Sequence, residues 1–251
     1  MIALPESFLT RPIAHRALHD VAAGRPENSR AAIAAAIAGD YGIEIDLQLS
    51  RDDQAMVFHD YDLERLTGVI GQVRSQTASD LAEIKLTGGD EGVPSFAEVL
   101  SLVAGRVPLL IELKDQHGEM GETDGALEDA VAQALTSYDG PAAVMSFNPN
   151  MVATLAKLLP GHPRGLVTCR YEAEHWPELP ATVQNHLRDI PDFDHAGCSF
   201  ISHHASDLSR HRVQALRAEG TPILCWTIRS RAEEHDARQL SDNITFERYL
   251  A

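Results

Sequence analysis

"GIEIDLQLS", residues 42–50, alternates without a break. Ile43, Ile45, Leu47 and Leu49 fall on one side of an extended chain, and Glu44, Asp46 and Gln48 on the other, because successive side chains of a strand point to opposite faces. Taken alone, this is the pattern of an antiparallel strand with one solvated face. In a parallel barrel the reading changes. There the outer face packs on helices and must be apolar, so Glu44 and Asp46 would point into the barrel. Two neighbouring carboxylates in such an interior are costly unless a cation or a proton joins them.

The rest of the chain points to the barrel. "PIAHR" (12–16) reads as a strand, and "NSRAAIAAAIAGD" (28–40) as a helix capped by Asn28 or Ser29. After residues 42–50, "RDD" (51–53) is a turn and "QAMVFH" (54–59) a strand, which makes a hairpin. "SFAEVLSLVAG" (95–105) is a helix with a Ser95–Glu98 capping box and a Gly105 stop. "VPLLIELK" (107–114), "AAVMSF" (142–147), "RGLVTC" (164–169), "GCSFISHH" (197–204), "PILCWTIR" (222–229) and "NITF" (243–246) read as strands. Helical patterns at 125–138, 149–159, 209–220 and 231–240 separate most of them. Repeated β-α units with about eight parallel strands fit a single (β/α)8 TIM barrel domain over residues 1–251. A doubly wound sheet is the rival, weakened because no GxGxxG opens a helix. Residues 60–93 read as an excursion after the second barrel strand, and residues 170–196 as an irregular polar stretch.

Composition narrows the function classes. The chain has 251 residues, 44% hydrophobic and 23% charged, with 21 Lys plus Arg against 37 Asp plus Glu, a net charge of −16. Such a surface repels nucleic acid and anionic membrane, and an anionic substrate would need a local cation. The three cysteines, Cys169, Cys198 and Cys225, form no CxxC and suggest neither a disulfide framework nor a zinc knuckle. "MIALPESFLTRP" lacks a basic n-region and a long apolar h-region, and no apolar run approaches the ~18–20 residues of a membrane helix. The expectation is a soluble, cytoplasmic protein with no stable membrane insertion; a homo-oligomer is compatible with this reading.

Several residues then stand out as chemistry. "LLIELK" repeats the alternation, so Glu112 and Lys114 would face inward near a strand end, which in a barrel is the active-site end. Three carboxylates suit one hard divalent cation, Mg²⁺ or Ca²⁺, better than zinc, for which there is no HExxH or Cys cluster. His15-Arg16 and His59 each follow an apolar run. Two histidines, an arginine, three carboxylates and a lysine are the parts for phosphoester hydrolysis: one imidazole takes a proton and the other gives one. Phe147 and Trp226 are candidates for the wall of a substrate pocket, with core packing as the competing role. Glu27 and Asn28 could reach the site, and Asn28 could equally be an N-cap. His203 and His204 point to opposite faces and make a poor metal pair.

In order along the chain, "AHRALHDVAAGRPENSRAAIAAAI", "GIEIDLQLSRDDQAMVFHDYDLERLTG", "VPSFAEVL", "PLLIELK", "MSFNP" and "ILCWTIR" cover most of the sequence. This set resembles the glycerophosphodiester phosphodiesterase family. The resemblance implies a TIM barrel and a divalent-metal enzyme cleaving glycerophosphodiesters to sn-glycerol 3-phosphate and an alcohol such as choline or ethanolamine. It implies that Glu44, Asp46 and Glu112 hold the metal, that His15 and His59 are the acid-base pair, and that Arg16 and Lys114 hold the phosphate. Three departures bear on substrate: Ala17 stands where the family usually has Gly, Arg229 where Asn usually follows Trp-Thr and a hydrophobic residue, and Thr245-Phe246-Glu247 where Thr-Asp-x-Pro is common. They motivate two alternatives. One is a related diesterase for another head group, a sugar phosphodiester or a lysophospholipid. The other is a catalytically silent barrel that binds phosphodiesters.

Overall fold

A computed structural model describes residues 2–251. Its strands are β1 (Ile13–Ala14), β2 (Gly42–Leu49), β3 (Ala55–Val57), β4 (Leu109–Leu113), β5 (Ala142–Ser146), β6 (Arg164–Thr168), β7 (Phe200–His204), β8 (Ile223–Ile228) and β9 (Asn243–Phe246). Eight of them run parallel in the order β1-β9-β8-β7-β6-β5-β4-β2, and pairing of β1 with β2 closes the ring. The fold is the expected (β/α)8 barrel. β3 pairs antiparallel with the end of β2, so the predicted hairpin forms as a flap on the barrel wall.

Alternation along the strands divides the interior in two. Ile43, Ile45 and Leu47 face outward and share a core with Ile33 of helix Arg30–Ala38, Val99 of helix Phe96–Val103 and Val131 of helix Ala126–Leu135. The inward residues below the polar cluster are apolar. Ile13, Leu110, Met145, Val167, Phe200 and Leu224 pack together. The N-terminal segment plugs this end: Leu4 and Phe8 join the cluster, and Asn243 donates to the carbonyls of Phe8 and Arg11 at 2.7 and 2.6 Å. Gly165 leaves room for the Phe200 ring, since a Cβ there would lie 2.5 Å from it. An apolar floor results, with the polar cluster above it.

Local signals performed well at helix starts. Ser29, not Asn28, caps its helix by accepting from Ala32 N at 3.1 Å, and Ser95 and Glu98 form the capping box. The strand over 54–59 is shorter than its apolar pattern: Phe58 and His59 leave the ladder after Val57. The excursion 60–93 is ordered. It contains helices Glu64–Thr67 and Ala78–Glu83 and a small core of its own around Phe58, Leu63, Leu81 and Val93. Helix Ala181–Arg188 lies inside the stretch read as irregular; no side-chain cap marks its start and it buries only Gln184 and Leu187, so its sequence signal was weak. Helix Ser7–Thr10 also went unpredicted. Among the described residues, no helix is long and apolar enough to cross a membrane.

Phe200 is fully buried at the centre of the floor. Phe200→Ala should lower unfolding stability by about 3–5 kcal/mol, the usual cost of emptying a buried aromatic site, read as a shift of the urea midpoint at unchanged m-value.

Candidate active site

Nine of the residues singled out from the sequence meet in one cavity at the C-terminal end of the barrel. His15, Arg16, Glu44, Asp46, His59, Glu112, Lys114, Phe147 and Trp226 line it, with Ser202 and Thr245 beneath them. The period-two rule explains most of the convergence: along their strands His15, Glu44, Asp46, Glu112, Lys114, Phe147 and Trp226 fall at inward positions above the apolar floor, while Arg16 lies past the end of β1 in a left-handed backbone conformation, φ 52°. The hairpin supplies the other exception. Phe58 N donates to Asp46 O at 2.9 Å, which brings His59 over the end of β2 although it belongs to no barrel strand.

Asp46 and Glu112 are register partners on neighbouring strands. One oxygen from each of Glu44, Asp46 and Glu112 lies within 4.8 Å of the others, and all three residues are buried. Lys114 Nζ bridges two of them, 2.7 Å from Asp46 Oδ1 and 2.6 Å from Glu112 Oε1. Burial alone would raise the Asp46 carboxyl, but Lys114, His59 and Arg16 hold it far below its usual range. Burial likewise disfavours the Lys114 ammonium, yet Asp46 and Glu112 raise its pKa above normal. Glu44 is the unbalanced member. Its Oε2 accepts only the backbone N–H of Arg16, at 2.8 Å, and burial plus repulsion from Asp46 and Glu112 pushes its carboxyl well above the ordinary value. Three buried, convergent carboxylate oxygens are the donor type a hard divalent ion takes, so these residues fit the group the sequence implied; Lys114 meets part of the same negative charge from the other side.

The two histidines are tied down at Nδ1. His15 Nδ1 lies 2.7 Å from Glu247 Oε2, and His59 Nδ1 lies 2.6 Å from Asp60 Oδ1. Burial lowers the pKa of His15, with Glu247 opposing it, so its neutral form is favoured. Arg16 is held by Glu27 at 2.7 Å, and its Nε points toward Asp46 at 3.5 Å without a hydrogen bond. Ser202 Oγ and Thr245 Oγ1 are also buried without partners. Unpaired buried donors are expensive in a finished core, and these border one cavity. Asn28 donates to Asp46 Oδ2 at 2.9 Å, so it serves the site rather than the helix cap.

A second cavity of about 800 Å³ adjoins the first, sharing His59, Glu112, Lys114, Phe147 and Trp226. Tyr61, Met120 and Trp176 complete its apolar wall. Phe147 stacks obliquely on Trp176 at 5.1 Å and edge-on to Trp226 at 5.6 Å. Trp176 and Glu247 were missed in the sequence. A tryptophan inside a polar stretch was the available signal for the first; for the second it was only its place in Thr245-Phe246-Glu247 after the last strand, which says nothing of its contact with His15. His203, by contrast, faces away from the cavity, bonded to Thr168 Oγ1 at 2.7 Å and lowered to about 4 mainly by burial.

The sequence profile of the glycerophosphoryl diester phosphodiesterase family matches residues 15–243. The chain belongs to this family of phosphodiesterases. It is 28% identical over 227 residues to YhdW of Bacillus subtilis, spanning 86% of this chain and 85% of that one. It is 26% identical over 231 residues to a glycerophosphodiester phosphodiesterase of Bacillus altitudinis, covering 88% and 87%. A phosphodiesterase of Oleispira antarctica, solved with its product sn-glycerol-3-phosphate, shares the fold: TM-score 0.78, 23% identity, 96% of this chain and 94% of that one. Against this family background, Ala17 occupies a left-handed backbone position, φ 64°, where glycine is the unstrained residue and alanine costs about 1 kcal/mol. Arg229 and Glu247 bind each other at 2.7 Å.

Glu44 generates a prediction with two signs. A carboxyl whose folded pKa is raised stabilises the fold at low pH and loses that contribution as pH rises past its unfolded value, about 4.3. Glu44→Gln should therefore raise the metal-free melting temperature at pH 7. It should also weaken any stabilisation by added Mg²⁺ or Ca²⁺, which for a ligand at a hundredfold excess over Kd amounts to about 2.7 kcal/mol. Thermal melts with EDTA and with added metal check both.

Proposed function

We propose that this chain hydrolyses glycerophosphodiesters to sn-glycerol 3-phosphate and an alcohol, using a divalent cation at Glu44, Asp46 and Glu112 and proton transfer by His15 and His59. The observation that carries the proposal is the meeting of three buried carboxylates with two carboxylate-bound histidines in one cavity of a family barrel. When bound, the cation supplies positive charge to the phosphoryl oxygens. Arg16, already aimed by Glu27 and carrying an unpaired Nε–H, binds a phosphoryl oxygen. Lys114 holds Asp46 and Glu112 in place and adds a second cation beside the phosphate. These cations answer the demand set by a net charge of −16 on an anionic substrate.

The two cavities divide the proton work. His59 borders both, so it stands beside the alcohol and gives its proton to the leaving oxygen. His15 borders only the inner one and, its pKa lowered by burial, takes a proton from the attacking water. The outer cavity, walled by Phe147, Trp176 and Trp226 and edged by Asp60, Asp62, Glu64 and Asp115, suits an alcohol bearing an ammonium group such as choline or ethanolamine. Its size also supports the second reading, a diesterase for a bulkier head group.

Hydrolysis of glycerophosphocholine should stop on treatment with EDTA and return with Mg²⁺ or Ca²⁺. His15→Ala and His59→Ala should each lower kcat by about 10²–10⁴ with little change in KM. Arg16→Ala should raise KM as well. Full activity in the metal-free protein, or near-normal kcat in both folded histidine variants, would reject the proposal. A panel of diesters differing only in the alcohol distinguishes the two readings of the outer cavity.

A further inference from the structure

The two histidines are held by the same three-part device. His59 Nδ1 meets Asp60 Oδ1 at 2.6 Å, and Arg65 donates to that carboxylate through Nε at 2.5 Å and a terminal nitrogen at 2.9 Å. His15 Nδ1 meets Glu247 Oε2 at 2.7 Å, and Arg229 Nε donates to Glu247 Oε1 at 2.7 Å. Asp60 is the sequence neighbour of its histidine; Glu247 is 232 residues from His15. The bond between those distant residues is fixed by backbone. His15 N donates to Phe246 O and Glu247 N to Ile228 O, both at 2.9 Å, so the ends of β1, β8 and β9 lock at this point.

A carboxylate only accepts hydrogen bonds, so the imidazole nitrogen facing it must carry the hydrogen. The other ring nitrogen is then the one with the lone pair, and the ring cannot swing away while the carboxylate is itself clamped. The Glu247 side chain is 8% exposed, which shields this bond from competing water. His15, His19 and Glu247 together have the composition of a metal site. Arg229 and Arg248, however, stand 2.7 and 3.5 Å from Glu247 Oε1, and two guanidinium charges there would repel a dication.

We propose that Glu247, clamped by Arg229, is a positioning residue for His15: it fixes the Nδ1–H tautomer and leaves Nε2 free on the cavity side. Arg229 and Glu247 thereby act as one feature, a carboxylate together with its clamp. This inference rests on the assignment of His15 to proton transfer, and its test separates the two.

Long-range proton–nitrogen NMR on metal-free protein labelled at histidine reads the tautomer directly, with His15 assigned by its loss in His15→Ala. The unaltered protein should show the Nδ1–H form; Glu247→Ala should shift His15 toward Nε2–H. In steady-state assays Glu247→Ala should lower kcat about 10–100-fold, the usual effect of removing an orienting partner, with KM within about threefold. Arg229→Ala, at a half-exposed position, should give a smaller loss in the same direction and serves if Glu247→Ala does not fold. In the His15→Ala background, Glu247→Ala should cost nothing further, because it acts through that ring. An unchanged tautomer in the Glu247 and Arg229 variants, or an equal loss of kcat with and without His15, would overturn the inference. A normal kcat in His15→Ala would instead remove the catalytic assignment, while the tautomer measurement would still report whether Glu247 sets the ring.

Discussion

Repulsion among Glu44, Asp46 and Glu112 is the constraint around which the upper half of the barrel is organised. All three are buried, and one oxygen of each lies within 4.8 Å of the others. In a low-dielectric interior such an arrangement persists only if positive charge is supplied. Lys114 neutralises the Asp46–Glu112 side, Asn28 and the Arg16 backbone amide supply hydrogen bonds, and Glu44 retains the deficit. In the proposed function that deficit favours a bound cation, so folding, metal affinity and phosphate recognition would depend on the same few atoms.

The remainder of the site is built to keep charged side chains from collapsing onto this centre. Arg16 is drawn toward Asp46 but is also held by Glu27, and Glu27 in turn is held by Arg65, which clamps Asp60 beside His59. A continuous chain of ion pairs thus runs from Asp46 to one histidine. The other histidine is served by a separate pair, Glu247 and Arg229. Below, the apolar floor of Phe8, Leu110, Phe200 and Leu224 fixes the height at which the polar layer begins. Both the floor and the polar layer follow from strand alternation in a closed barrel.

That alternation is why so much was legible in the sequence. Glu44, Asp46, Glu112 and Lys114 could be placed inward from periodicity once a barrel was assumed, and His15 and Arg16 from their position at a strand end. The hairpin was legible from its turn. What escaped was non-local or weakly patterned. Glu247 reaches His15 only because β9 closes the ring beside β1, and no motif spans 232 residues. Trp176 reaches the outer cavity from a stretch whose backbone has little regular period. Ser7–Thr10 is too short to show a helical pattern, yet Phe8 at its centre seals the barrel. The roles of Arg229 and Glu247 were invisible singly, because each reads as a surface charge until the other is seen to face it.

The central claim is that the three carboxylates form one divalent-cation site at the mouth of the barrel. Anomalous diffraction from a crystal soaked in Mn²⁺ tests it most directly. The account predicts one strong peak per chain, within about 2.0–2.6 Å of oxygens from Glu44, Asp46 and Glu112, absent from crystals of Asp46→Asn. A map with no peak among these residues, or with its only peak beside His15, His19 and Glu247, would contradict it.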